Sequence, residues 1–244
     1  MAASDLVPLV LGLLLAILAG IRTPAGIQGK NAPLWAAHVL ITVLILLAVT
    51  PIYAALDSLL GGANLANLFS RLLIGLIFLG LGRQVANGLS RPDATHRIAG
   101  RPGLGVLAFG GLLVTFFFVL ADTPTSSMGL NLYQDDPWVT AYRAAALLYP
   151  AYCSAVLVPA LYADFRAFDG APRMQDIAKG ALMAGFACVV PVPVLTVMEY
   201  LTDGARVWVD VFTYASVLLV AAGSSSALRA ALKNRRQGSS KVAA

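Results

Sequence analysis

The chain has 244 residues, of which 59% are hydrophobic and 12% charged, and its mean hydropathy is +0.79. An average soluble domain carries roughly twice that share of charge, so a water-exposed globule is excluded and lipid is the expected solvent. A hydrocarbon core of roughly 30 Å takes about 20 apolar residues per helical span, so the length accommodates about seven spans in one domain over 1–244 and leaves no room for a separate soluble domain.

Apolar runs between polar or Gly/Pro breaks predict helices over 6–21, 33–55, 65–81, 104–121, 138–163, 177–201 and 207–232. The expected fold is all-α, a polytopic seven-transmembrane-helix bundle. The leader Met1–Asp5 lacks the cationic start of a secretory signal, so the first run is expected to remain as a span. Orientation follows from Lys and Arg, which resist translocation in short loops. Of the 17, fourteen fall on alternate connections and the C-terminal flank, among them Arg83, Arg91, Arg97, Arg101, Arg166 and Lys179, whereas the opposite side has Arg206 alone. That places the N-terminus outside and the C-terminus inside, with 237–244 as a short cytoplasmic tail. The net charge of +5 and pI near 9.4 then reflect topology, and no nucleic-acid partner is required.

Span two carries His38 near its cytoplasmic end, a proton-relay candidate or a partnered structural residue. Spans two, five and six contain Pro51, Pro150, Pro159, Pro191 and Pro193, each of which removes an intrahelical hydrogen bond. The Pro191-Val192-Pro193 run makes span six the expected broken helix. Small residues at spacing four, Gly12/Ala16/Gly20 and Gly180/Ala184/Cys188, allow close helix approach. Between spans four and five, Asp135-Asp136-Pro137-Trp138 combines an Asp cap, Pro at the first helical position and an interfacial Trp, which together predict a helix start. Two adjacent acids also suit a metal or a sugar phosphate, but no further ligands converge on them.

Ionisable residues inside apolar spans are the informative ones, because a charge at the bilayer centre costs on the order of 3 kcal/mol. Arg71 on span three lies ~10 Å from its outer end and Arg143 on span five ~8 Å. Glu199 on span six and Asp210 on span seven share that outer layer. Polar or aromatic residues recur at helical spacing beside them: Asn64, Asn67 and Arg71; Thr50, Tyr53 and Asp57; Tyr142, Tyr149 and Cys153; Arg206, Asp210 and Thr213 or Tyr214. Two interpretations fit this layer. One is a buried lattice of salt bridges and hydrogen bonds that fixes helix register. The other is an outward-opening vestibule in which Arg71, Arg143, Asp210, Glu199, Asn67 and the tyrosines 53, 142, 149 and 214 bind a small polar or anionic ligand.

Absences narrow the chemistry. Span seven has no Lys for a retinal Schiff base, and two histidines, His38 and His96, do not make paired haem ligands. His-Glu-x-x-His, Gly-x-Ser-x-Gly and Cys-x-x-Cys are missing, so no catalytic residue, cofactor or metal site is expected, and Cys153 and Cys188 are expected to be free buried thiols. Two-repeat sugar carriers share the seven-span layout, but their Pro-Gln signature is absent.

The run Pro51-Ile52-Tyr53-Ala54-Ala55-Leu56-Asp57, followed by Gly62-Ala63-Asn64-Leu65-Ala66-Asn67-Leu68, resembles an actinobacterial family of multi-spanning proteins named as candidate transporters. The similarity covers about residues 20–90 and the general layout. It implies transport across a bacterial inner membrane and supplies no activity for a particular residue. A second expectation, from a different class, is a receptor or accessory subunit that docks a protein partner through Arg91, Arg97 and Arg101 on the cytoplasmic side.

Overall fold

In the computed structural model of the chain, the described residues are 32–166, 174–202 and 204–220, with separate helical positions between Leu6 and Thr23 and at 222–223. They are all-α, with no strand among them. The helices are α1 (Ala32–Leu46), α2 (Thr50–Leu59), α3 (Leu65–Gly88), α4 (Pro92–Ala99), α5 (Arg101–Leu120), α6 (Pro137–Ala146), α7 (Leu148–Arg166), α8 (Met174–Val189), α9 (Val192–Leu201) and α10 over 205–220. Four stretches are long and apolar enough to cross a membrane: Leu65–Gly88, Pro92–Leu120, Pro137–Arg166 and Asp176–Leu201. A fifth is added if α1 and α2 count as one bent span. Part of the expected first span, the seventh beyond 223 and the tail 237–244 lie outside the described residues, so seven crossings are not counted among them.

Large apolar side chains cover the outside of the bundle, with Leu112 70%, Val119 75% and Leu218 70% exposed. A continuous apolar exterior of this kind fits lipid contact. Two packed clusters lie inside. One joins α3, α4, α7 and α8 through Ile98, Cys153, Leu157 and Phe186, and the other joins α5, α6 and the 121–136 connection through Val114, Leu130 and Tyr142. The end of the bundle carrying α4 is called the lower end here, and the end carrying the 121–136 connection the upper end.

The expected second span, 33–55, is not one helix. The chain breaks at Leu47–Val49 and α2 leaves α1 at 97°. Pro51 causes no kink inside a helix: it occupies the first turn of α2, where its missing N–H has no intrahelical acceptor to lose. Proline breaks also divide the later spans. Pro193 begins α9 after a turn at Val190–Pro191, and a break at Leu147 precedes Pro150 in the first turn of α7.

The stretch expected as a loop from 82 to 103 is largely helical. α3 runs on to Gly88 and stops in a Schellman motif, with Ser90 at φ 54°, Arg91 N–H on the Ala86 carbonyl and Ser90 N–H on that of Asn87, both 3.0 Å. Pro92 then starts α4, whose Ala94 and Ile98 are buried while His96 and Arg97 face out. α5 follows α4 so closely that a Cβ on Gly103 would collide with the Ile98 carbonyl oxygen. The last carbonyls of α4 are satisfied by tyrosines of α7: Tyr149 donates to Ile98 O at 3.0 Å and Tyr152 to Arg97 O at 2.8 Å. Lys179 and Asp164 pair at 2.6 Å between α8 and α7, and Cys153 and Cys188 are free thiols, the first buried and the second half-buried. Gly185 lets α10 approach α8, since a Cβ there would meet Val220 at 2.8 Å.

Candidate functional site

The upper end is organised by a turn between α2 and α3. Gly61, Gly62 and Asn64 all take positive φ, which reverses the chain in a few residues. The buried Asp57 carboxylate accepts the N–H groups of Asn64 and Ala66, both at 3.1 Å, and so satisfies donors that the start of α3 leaves without partners. The Asn64 side chain uses its full bonding capacity. Its Oδ1 accepts from the Ser127 N–H at 2.7 Å and the Tyr53 hydroxyl at 3.0 Å, and its Nδ2 donates to Thr123 O at 3.0 Å and Thr125 O at 2.9 Å. The 121–136 connection is thereby tied down on α2 and α3. Asp136 caps α6 as expected, accepting from the Trp138 N–H at 2.7 Å.

Beneath this turn lies the layer of charge. Tyr142 is fully buried on α6 and donates to Asn67 Oδ1 on α3 at 2.8 Å. Arg143, the next residue, reaches across to Glu199 on α9 at 3.3 Å. Glu199 also receives Arg206, with Nε at 3.9 Å, while Nη1 of Arg206 donates to Gln134 Oε1 at 2.7 Å. Arg71, half-buried on α3, lies beside the Tyr142 hydroxyl and is close enough to Arg143 to be repelled by it. Among the described residues no carboxylate comes within 4.0 Å of Arg71. Two guanidinium groups, those of Arg143 and Arg206, therefore share the Glu199 carboxylate, and Arg71 stands outside the pairing.

The structure brings together Asn67, Arg71, Tyr142, Arg143 and Glu199, and leaves other expected members elsewhere. Tyr53 belongs to the Asn64 turn, and Tyr149 points to the lower end and bonds α4. Asp210 and Tyr214 are exposed, Tyr214 at 68%. α10 buries Ala205, Val209 and Ser216, so its polar stripe one position further along is turned about 100° away from the bundle. Arg206 and Gln134 entered the layer without having been expected there as partners. Their contact spans 72 residues of sequence, a separation that helical spacing does not register.

A groove of about 180 Å³ begins at Arg71 and descends between α3, α5 and the α6–α7 join, past Gly75, Gly111, Leu107 and Ala145 to Tyr149. Apart from Arg71 and the committed Tyr149 hydroxyl its walls are apolar, and it is partly open. The signal for it was present in the sequence: Arg71 and Gly75 are four residues apart and share a helix face, which the paired glycines Gly110-Gly111 meet from α5. Among the described residues no cluster of three or more His, Cys, Asp or Glu could hold a metal ion. No protein-family model, curated protein or solved structure matches the chain.

Proposed function

We propose that this protein is a small permease-like transporter of a bacterial inner membrane that binds a small polar or anionic ligand at its upper layer. In this reading the bundle has seven spans, the N-terminus and the upper end face outside, and the C-terminus lies inside. The four stretches long and apolar enough to cross, with the bent α1–α2 pair as a fifth, support a multi-spanning reading, and the helical positions before Thr23 and α10 would supply the remaining two. Orientation is supported by Arg97, Arg101, Arg166 and Lys179 at the lower end.

The observation that carries ligand binding is Arg71. A guanidinium held at membrane depth with a second guanidinium nearby, and without a carboxylate of its own among the described residues, favours an anion. The resemblance of 51–68 to a family of candidate transporters points the same way. The test is thermal unfolding of the detergent-solubilised protein with phosphate or sulfate added. The parent is expected to be stabilised, and Arg71→Ala and Arg143→Ala are expected to lose the effect. If both variants fold and respond as the parent does, the proposal is wrong.

A second reading is favoured by α4, whose outward face presents His96 and Arg97 next to Arg101. In it the protein is an accessory subunit that docks a partner through this basic face. Neutralising Arg91, Arg97 and Arg101 together would then release a stoichiometric partner that co-purifies with the parent.

A further inference from the structure

The groove under Arg71 gives the anion a second half. A helical side chain leans toward its helix N-terminus, which for α3 is the upper end, so the Arg71 guanidinium points toward the upper surface while the groove runs down toward mid-membrane. A lipid in the upper leaflet has the same polarity, with its charged head at the surface and its chains below. The groove is partly open, and the apolar residues in and beside it are exposed, with Leu76 47%, Phe109 59% and Leu112 70%. An apolar cavity of about 150 Å³ takes a six-carbon ring, so 180 Å³ holds a comparable length of one acyl chain.

A water-soluble anion would gain only the guanidinium and would rest on an apolar floor. A membrane amphiphile satisfies both ends. Charge complementarity at the mouth decides the head: Arg71 has no carboxylate within 4.0 Å among the described residues and has Arg143 as a neighbour, which disfavours a zwitterionic head whose own cation would enter there. We propose that Arg71 and the groove beside Gly75, Gly111 and Ala145 bind an anionic phospholipid, with the phosphate on Arg71 and part of one chain in the groove. This rests on Arg71 being an anion site, as in the function proposed above, and narrows the ligand to one that enters from the lipid phase.

The experiment is native mass spectrometry and thermal unfolding of the full chain with phosphatidylglycerol, phosphatidylcholine or glycerol 3-phosphate, applied to the parent, Arg71→Ala, Arg71→Lys and Gly111→Leu. The parent is expected to prefer phosphatidylglycerol over phosphatidylcholine by about tenfold, because both offer the phosphate and only the choline cation is repelled by the arginines. Arg71→Ala should abolish the preference and Arg71→Lys should keep part of it, which separates loss of charge from loss of fold. Gly111→Leu, which fills the groove but leaves Arg71 in place, should weaken both lipids. Stabilisation by glycerol 3-phosphate equal to that by phosphatidylglycerol, with Gly111→Leu behaving as the parent, overturns the lipid assignment while leaving an anion site. Equal retention of both lipids by the parent, with no response to glycerol 3-phosphate, overturns the lipid assignment and the anion site together.

Discussion

Asp57 caps a helix to which it does not belong: its carboxylate accepts the backbone N–H of Asn64, seven residues on, and also that of Ala66. A short loop with three positive φ values is held in place by one buried acid, and Asn64 extends the hold to the 121–136 connection. Removing the acid leaves two buried donors unpaired. Asp57→Ala is expected to cost about 2 to 3 kcal/mol in thermal unfolding of the purified protein, and Asp57→Asn, which keeps one acceptor, about half of that. Tyr53→Phe removes a single donor from the same turn and should cost about 1 kcal/mol.

Glu199 neutralises two arginines at once, so its loss should be felt through charge repulsion more than through a missing bond. Glu199→Gln is expected to destabilise by about 3 kcal/mol because Arg143 is left partly buried without a partner. The double variant Glu199→Gln/Arg143→Gln should recover part of that loss. A double-mutant cycle on unfolding midpoints gives the coupling, and additive single effects would mean that the pair contributes nothing as a pair.

Lipid as solvent was legible from composition, because a low charge fraction and long apolar runs have few other uses. The break in span six was legible too, since Pro191 and Pro193 remove two backbone donors within three residues. The right-angle bend between α1 and α2 was not. Pro51 reads equally well as a kink or as a first-turn residue, and the choice depends on Asn64 and Ser127, which lie far along the chain. Arg143 and Glu199 do meet across two helices, but which other residues would join them was not legible, because spacing along a helix gives relative directions and not which direction faces the bundle. On α10 the buried stripe is Ala205, Val209 and Ser216, and Asp210 is left outside it.

The junction of α4 and α5 yields a sharp contrast between two glycines. A methyl group on Gly103 would meet the backbone carbonyls of Ile98 and Arg97, which cannot move without dismantling α4, whereas nothing lies within 4 Å of a methyl group on Gly105. Gly103→Ala should therefore destabilise by about 2 kcal/mol or more, within the range for overpacked sites. Gly105→Ala should stabilise by roughly 0.5 to 1 kcal/mol, the helix-propensity gain at an exposed position. Equal effects of the two substitutions would show that the α4–α5 contact is looser than the structure has it.

Topology can be read by labelling, and the exposed ends supply the positions. Leu132 at the upper end is 71% exposed and Asp93 at the lower end is exposed on α4. In a Cys153→Ala/Cys188→Ala background, Leu132→Cys is expected to react with an impermeant maleimide added to intact cells. In the proposed orientation, which Arg91, Arg97 and Arg101 favour, Asp93→Cys should react only after the cells are opened. Labelling of Asp93→Cys in intact cells, with Leu132→Cys protected, would invert the protein and place Arg71 in the opposite leaflet. Its groove would then be open to lipids of the cytoplasmic face, and the outward-facing ligand layer would have to be abandoned.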